Sequence, residues 1–339
     1  MAPTTPPDLE VSDEGDVSEL CMTVVKVSLL FFGTVGVFGN ANIIIATVLN
    51  KSLKSKCGLL LALLGFCDLW CLLFELLSAV RLLTNSAEMS RKQCFWSISF
   101  YLFIENIESY MIFAVGVDRF MAVCSPVRYR LFRKHSYILY MTAPGFVYTI
   151  ILMILGIVHL NDATVPVCNP PMAYPGYVSQ VWNISTVATC GCTVIVYIAN
   201  YIMIYKIAPI DATPSKIAEI QVQKIIIKTL TINVMAYASS SILSAIIILI
   251  MRLIGVDKNA IADAETYAVI PGLLSYSVNY YVYFWRSSEY RKAFKRQLLH
   301  ICGSCQSSKS TVYVVRKSET YSNANRSHHV STSFSIQCN

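Results

Sequence analysis

The sequence predicts an all-α membrane protein: a bundle of seven transmembrane helices followed by a short amphipathic helix on the inner membrane face. Three observations predict it. Hydrophobic residues make up 55% of the 339 and charged residues only 14%, with a positive mean hydropathy, which is a membrane-protein profile. Seven apolar stretches of membrane-crossing length stand near 22–48, 58–83, 94–124, 137–159, 182–206, 224–254 and 263–285. Basic residues gather beside every second connection, as the positive-inside rule requires. Only helices or closed barrels can span lipid, and these runs are far too long for barrel strands.

Residues 1–21 hold six acids and no Lys or Arg, so they read as an extracellular acidic N-terminus rather than the basic start of a cleaved signal peptide. The first span then serves as the insertion signal. It contains Gly36–Val37–Phe38–Gly39–Asn40; the second contains Leu61–Ala62, Asp68 and Glu75. Asn40 and Asp68 lie deep in neighbouring helices and are placed to hydrogen-bond across their interface. The fourth and fifth spans have the least distinct edges. The seventh is the weakest, broken by Asp263, Glu265, Pro271 and Gly272. After it, residues 286–302 are amphipathic: Tyr290, Phe294 and Leu298 recur every four residues with Arg291, Lys292, Lys295 and Arg296 between them. That pattern lies on a membrane surface. Cys302 and Cys305 close it and are candidates for palmitoylation. Residues 303–339 read as a disordered cytoplasmic tail, Ser/Thr/Asn-rich in its last part, with many hydroxyls open to phosphorylation.

Orientation follows from the connections. The 49–57 loop has Lys51, Lys54 and Lys56 and no acid; the 125–136 loop has Arg128, Arg130, Arg133 and Lys134 and no acid. Lys206, Lys224 and Lys228 flank the mixed 207–223 loop, and the tail is strongly basic. The 160–181 loop has no Lys or Arg. Only the 84–93 loop dissents, with Arg91 and Lys92 beside Glu88. The N-terminus is therefore expected outside and the C-terminus inside. The net charge of +7 faces lipid headgroups and an inner partner, and no nucleic-acid partner is expected.

The third span organises the chain. It runs from Cys94 to Cys124 yet carries Glu105, Glu108, Asp118 and Arg119. A charge in hydrocarbon costs roughly 2.5–3.5 kcal/mol on insertion scales, so such residues are functional candidates facing the bundle interior. At about 100° per residue, Tyr101, Glu105, Glu108, Ile112 and Arg119 share one side of the helix. The twelve cysteines are scattered, which frames neither a disulfide scaffold nor a zinc cluster.

In register on the seven spans stand Gly39–Asn40, Asp68, Cys94, Asp118–Arg119–Phe120, and Asn279 with Tyr283 before the amphipathic helix. Together they resemble the rhodopsin-like, class A G-protein-coupled receptors. The departures are informative. Span four has Phe146 where a Trp is usual, span five lacks its Pro, and Tyr280 replaces the Pro after the span-seven Asn. Aligned on Lys228–Thr229–Leu230, Tyr237 takes the usual Phe position of span six, while Ser241 and Leu243 replace the Trp and Pro of the activation switch. A helix without Pro has no built-in break in its hydrogen-bond ladder, so the switch cannot be carried across. These departures, with residues 67–75 and 116–123, resemble the nematode serpentine chemoreceptors of the Srsx group.

The resemblance implies a chemosensory receptor that binds a small molecule or peptide from outside and activates a heterotrimeric G protein. Asp118, Arg119, Phe120, Asn279, Tyr283 and Tyr237 would carry coupling and activation. Arg119 would pair with Asp118 at rest; the plainer alternative is a membrane-edge arginine snorkelling to headgroups. Asn40, Asp68, Glu108 and Asn279 would form a polar site able to hold a sodium ion, since two carboxylates in one dry site need a shared proton or a bridging cation. No other cofactor is expected. Glu75, Tyr101 and Glu105 are the ligand-pocket candidates, suited to an amine or other donor. Tyr101 stands where aminergic receptors carry an Asp, which weakens a monoamine reading, and Leu273 stands where retinal proteins carry a Lys. The resemblance also implies a Cys94–Cys168 disulfide. It places the chain in the plasma membrane, with a sensory cilium as the family's own setting. Two rival readings stay open from the sequence: a seven-span ion- or proton-coupled transporter, and a non-signalling receptor homologue. An enzyme is not expected, for want of a His-rich metal set or a Ser/His/Asp grouping.

Overall fold

The computed structural model describes residues 18–84, 89–165, 168–206, 214–239 and 244–303. Its helices are α1 (Glu19–Leu49), α2 (Lys56–Leu83), α3 (Arg91–Cys124), α4 (Pro126–Leu131), α5 (Lys134–Val158), α6 (Pro170–Ala173), α7 (Gly176–Lys206), α8 (Pro214–Ala238), α9 (Ser244–Leu253), α10 (Lys258–Tyr267), α11 (Val269–Arg286) and α12 (Ser288–Gly303). The fold is an all-α seven-span bundle. Spans one to three are α1, α2 and α3, and spans four and five are α5 and α7. Helices α8 and α9 belong to span six, α10 and α11 to span seven. Five of the helices, α1, α2, α3, α5 and α7, are individually long and apolar enough to cross a bilayer. Side chains such as Phe31, Ile45, Ile151 and Ile195 are exposed on the bundle's outside, where hydrocarbon rather than water is their solvent.

Local chemistry sets the helix ends. Helix α1 begins inside the segment expected to be extramembrane, because Ser18 caps it and its Oγ accepts from the Cys21 N–H at 3.2 Å. Ser18 also donates its N–H and its hydroxyl to the Asp263 carboxylate, both at 2.8 Å, tying the start of span one to α10. Ser90 and Gln93 form a capping box that starts α3 at Arg91. Span six starts further inward than expected, at Pro214, and the surface helix runs Ser288–Gly303 rather than 286–302.

The seventh span is two helices rather than the single run expected over 263–285. The break falls at Ala268, between α10 and α11. Pro271 is the cause: it lacks an N–H and its ring crowds the carbonyl four residues back, at Tyr267, the last residue of α10. Within α11 Pro271 sits in the first turn, where a missing donor costs nothing.

Helix α3 is the hub. It packs against α2, α5 and α7, and also touches α4, α6 and α8. Its outer end is bolted by the Cys94–Cys168 disulfide and by a two-strand ladder, β1 (Met89–Ser90) with β2 (Thr164–Val165), antiparallel with Met89 opposite Val165. Arg91, the dissenting charge of the topology argument, is part of this cap. Its Nη1 donates to Asn161 Oδ1 at 2.6 Å and its Nε to the Met172 carbonyl at 3.1 Å. Its charge is therefore used in holding the outer loop, which explains why it stands on the otherwise basic-poor side.

Tyr280, where the class A pattern has a proline, leaves α11 unbroken and packs its ring between helices. Its ring lies 4.4 Å from Phe294 of α12 and 5.7 Å from Phe38 of α1, keying three helices together. The contact requires Gly39, since a Cβ there would sit 2.7 Å from the Tyr280 Cβ. Tyr290 and Phe294 are buried against the bundle, so the apolar stripe of α12 docks on protein at its start. Leu299, further on, is exposed.

Candidate functional site: a polar column along the third span

The buried face of α3 meets polar partners at three depths. At the outer depth, Tyr101 donates its hydroxyl to Glu75 Oε1 of α2 at 2.6 Å. Phe74 stacks on the Tyr101 ring at 5.5 Å. Glu105 lies one turn further in; its Oε2 is buried and has no hydrogen-bond partner among the described residues. Tyr276 of α11 packs against the same core cluster as Tyr101. The structure thus gathers all three expected pocket residues around one seam between α2, α3 and α11. Among the described residues no ion pair is formed by these carboxyls; the one recorded lies at the inner end of α3.

At the middle depth, Asp68 Oδ2 of α2 accepts from Asn279 Nδ2 of α11 at 2.6 Å. Asn279 Oδ1 in turn accepts from Asn233 Nδ2 of α8, and Asn233 also reaches the Tyr283 hydroxyl at 3.4 Å. A small cavity of about 20 Å³ opens beside this chain, lined by Glu108, Asn233, Ser275 and Asn279 among apolar side chains including Leu64 and Ile112. That volume admits one water molecule or a small ion. Glu108 Oε2 and Asn233 Oδ1 are both buried there without a hydrogen-bond partner among the described residues. Two bare acceptor oxygens on a cavity of this size suit a cation or a donor molecule.

One expectation needs correcting here. Asn40 does not bond Asp68. Its amide donates to the Gly36 carbonyl at 3.1 Å and to the Tyr276 carbonyl at 2.9 Å, so it fastens span one to the backbone of span seven. Glu108 and Asp68 lie at the same depth: Asn279 bonds Asp68 and lines the cavity with Glu108, linking the two.

At the inner depth, Arg119 is only 1% exposed and is the largest fully buried side chain described. Its Nε donates to Asp118 Oδ2 at 2.8 Å, and Nη2 reaches the same oxygen. Nη2 also donates to the Tyr129 hydroxyl at 3.1 Å, and Nη1 to Gln223 Oε1 of α8 at 3.4 Å. Such burial excludes the snorkelling alternative. Burial pushes the Tyr129 hydroxyl well above the usual phenol range, so it stays a neutral partner for the guanidinium. Lys56 of α2 donates to the Tyr129 carbonyl and stands 4.6 Å from its ring centre, which fixes α4 beneath the pair.

The remaining expected residues are placed as follows. Tyr237 is buried on α8 and Tyr283 on α11, where it stacks on Tyr290 at 5.3 Å. Phe120 is partly buried beside Arg119 in sequence, at the inner end of α3. Ser241, Leu243 and Cys305 lie outside the described residues, as does the side chain of Cys302.

Sequence reasoning missed Asn233 and Gln223 on span six, and Asn200 on span five. Asn200 donates to the Gly116 carbonyl at 2.9 Å and joins α7 to α3. Asn233 and Asn200 are polar side chains inside apolar runs, the same signal that singled out Asn40 and Asp68.

A family model of serpentine-type seven-transmembrane G-protein-coupled chemoreceptors, the Srsx type, matches residues 33–298, most of the chain. Similar proteins include olfactory receptor 10K1 of Homo sapiens, 33% identical over 110 residues, covering 32% of this chain and 34% of that receptor. Olfactory receptor 1073 of Rattus norvegicus is 33% identical over 106 residues, 30% of this chain and 33% of its own. A cholecystokinin receptor of Xenopus laevis is 26% identical over 151 residues, 43% of this chain and 32% of its own. The chain therefore spans about a third of the length of the curated relatives it matches.

Proposed function

Because the chain belongs to the Srsx family of serpentine seven-transmembrane G-protein-coupled chemoreceptors, we propose that it binds a small molecule or peptide from outside and activates a heterotrimeric G protein. It is a multi-pass membrane protein of a G-protein-coupled receptor family. The observation that carries the proposal is the buried Asp118–Arg119 pair, held at the inner end of α3 and hydrogen-bonded to Gln223 of span six. A charged group at that depth, shared with a helix that can swing away, is a two-state element that a G protein can select.

The ligand seam at Glu75, Tyr101 and Glu105 is rich in acceptors and, among the described residues, its carboxyls form no ion pair. It favours a ligand with an ammonium or other donor group set in an apolar body. A sodium ion or a proton is the natural occupant of the cavity beside Glu108. Basic loops on one face support an orientation with the N-terminus outside, in the plasma membrane.

The test is a second-messenger assay in cells carrying the chain and a promiscuous Gα. Pools of amines, odorants, organic acids and peptides are applied to wild type and to Arg119→Ala. A response in wild type that disappears in the variant at equal surface level supports the proposal. An undiminished response in Arg119→Ala refutes the assignment of coupling to this pair.

A further inference from the structure

Asn233 stands in the middle of an apolar stretch of α8, next to Val234 and one turn from Leu230, both buried. A hydrophobic side chain would pack as well there. Thr229 and Thr231 on the same helix spend their hydroxyls on their own backbone, at 2.7 and 2.8 Å. Asn233 instead crosses to another helix. We propose that Asn233 is a positioning residue for receptor activation, latching span six to Asn279 and Tyr283 in the resting arrangement and releasing them when span six moves. The proposal rests on the receptor reading and adds a residue that neither the family pattern nor the sequence reading assigned.

The direction of the hydrogen-bond chain supports the latch. A carboxylate oxygen accepts, so Asp68 turns the Asn279 NH₂ toward itself. The Asn279 carbonyl then faces α8 and needs a donor. Asn233 presents its NH₂ to it, which leaves Asn233 Oδ1 pointing elsewhere and without a partner among the described residues. The residue also lines the cavity beside Glu108, among Ile112, Val115, Leu230 and Val234. Its donor side is spent on two span-seven partners, Asn279 and Tyr283. A contact between helices that one state makes and the other breaks biases the equilibrium between them. The position also fits the chain's own departures. Span six carries Ser241 and Leu243 where the general class A pattern has a Trp and a Pro, so a hold on this helix comes from other residues. Asn233 supplies it about two turns further inward.

Two substitutions separate a latch from mere packing glue. Asn233→Leu removes the donor at similar volume. Asn233→Met also removes the donor and fills the space with a flexible apolar side chain. Basal guanine-nucleotide exchange, with no ligand added, is measured on membranes holding the full chain and a heterotrimeric G protein, normalised to receptor amount. The latch predicts a rise of about fivefold in both variants, equivalent to about 1 kcal/mol on the resting equilibrium. In parallel, nitroxides are placed at Arg128 and Gln221, both exposed, through an incorporated keto amino acid that spares the native cysteines. Their distance distribution is read by pulsed electron resonance in lipid nanodiscs. The latch predicts a longer-distance population in both variants that is minor in wild type. Unchanged exchange and unchanged distances in well-expressed variants overturn the proposal. Poor folding of both variants, with no longer-distance population in the recovered protein, also overturns it and marks Asn233 as packing glue. If no chain promotes exchange but the distances still shift, the G-protein reading fails and the latch stands.

Discussion

Replacing Asp118 by asparagine is the most informative single perturbation of the inner depth. Arg119 is 1% exposed and its guanidinium has no route to solvent at that position. Its partners include Asp118 Oδ2, reached by both Nε at 2.8 Å and Nη2, the Tyr129 hydroxyl at 3.1 Å and Gln223 Oε1 at 3.4 Å. The Asp118→Asn variant would keep one acceptor oxygen at nearly the same place but lose its charge. A hydrogen bond involving a charged group is worth about 1.5–3 kcal/mol and a neutral one about 1 kcal/mol. Arg119 keeps its own charge, so each of the two bonds to Asp118 loses part of that difference, about 1 kcal/mol apiece. About 2 kcal/mol off the resting arrangement is a reasonable figure, below the ~3–5 kcal/mol of deleting one member of a buried pair outright. On a two-state equilibrium that is a shift of roughly 30-fold toward the state in which Arg119 is free. Ligand-free nucleotide exchange per surface receptor should rise toward that factor, capped by the fully active rate. The thermal midpoint of the purified receptor should fall in the same sample. Normal basal exchange together with an unshifted melting curve would refute the reasoning, since it would mean that the pair stabilises neither the resting state nor the fold.

Three further outcomes follow from the other depths. Replacing sodium by a large organic cation should raise basal signalling in wild type, and Glu108→Gln should be insensitive to the exchange; equal sodium sensitivity in the two would empty the cavity of its assigned occupant. Tyr101→Phe removes the 2.6 Å bond to Glu75 and should shift the half-maximal ligand concentration by about five- to tenfold, the equivalent of about 1 kcal/mol, with basal signalling unchanged. Gly36→Ala sets a Cβ 2.8 Å from the Ser277 Cβ and 3.1 Å from its Cα, where spans one and seven touch, and should cost about 1–3 kcal/mol, read as a lower thermal midpoint without a change in ligand preference.

The seven spans were legible because each is a long apolar run bounded by charge, and lipid allows few other folds for such runs. The stripe on α3 was legible for the same reason: Glu105, Glu108 and Arg119 are conspicuous in hydrocarbon. The break at Ala268 was only half legible. Pro271 was visible in the sequence, but its effect depends on where α11 starts, which tertiary packing decides. Asn40 shows the limit of reasoning from spacing. Its depth matches that of Asp68, yet its amide turns toward the Tyr276 carbonyl, a backbone partner that no side-chain pattern announces. Arg91 looked like an error in the charge rule until its contacts with Asn161 and Met172 gave it a local purpose. Asn233 was overlooked because it is a small neutral residue in a span judged by the proline it lacks.

The central claim is that this bundle transmits a signal through Arg119 to a G protein. The most direct measurement uses the full chain in lipid nanodiscs with a purified heterotrimeric G protein, following uptake of a non-hydrolysable GTP analogue. The account predicts uptake above that of empty nanodiscs, raised by Asp118→Asn and abolished by Arg119→Ala. Uptake at the empty-nanodisc rate for both wild type and Asp118→Asn, in protein whose Cys94–Cys168 disulfide is formed, would contradict it.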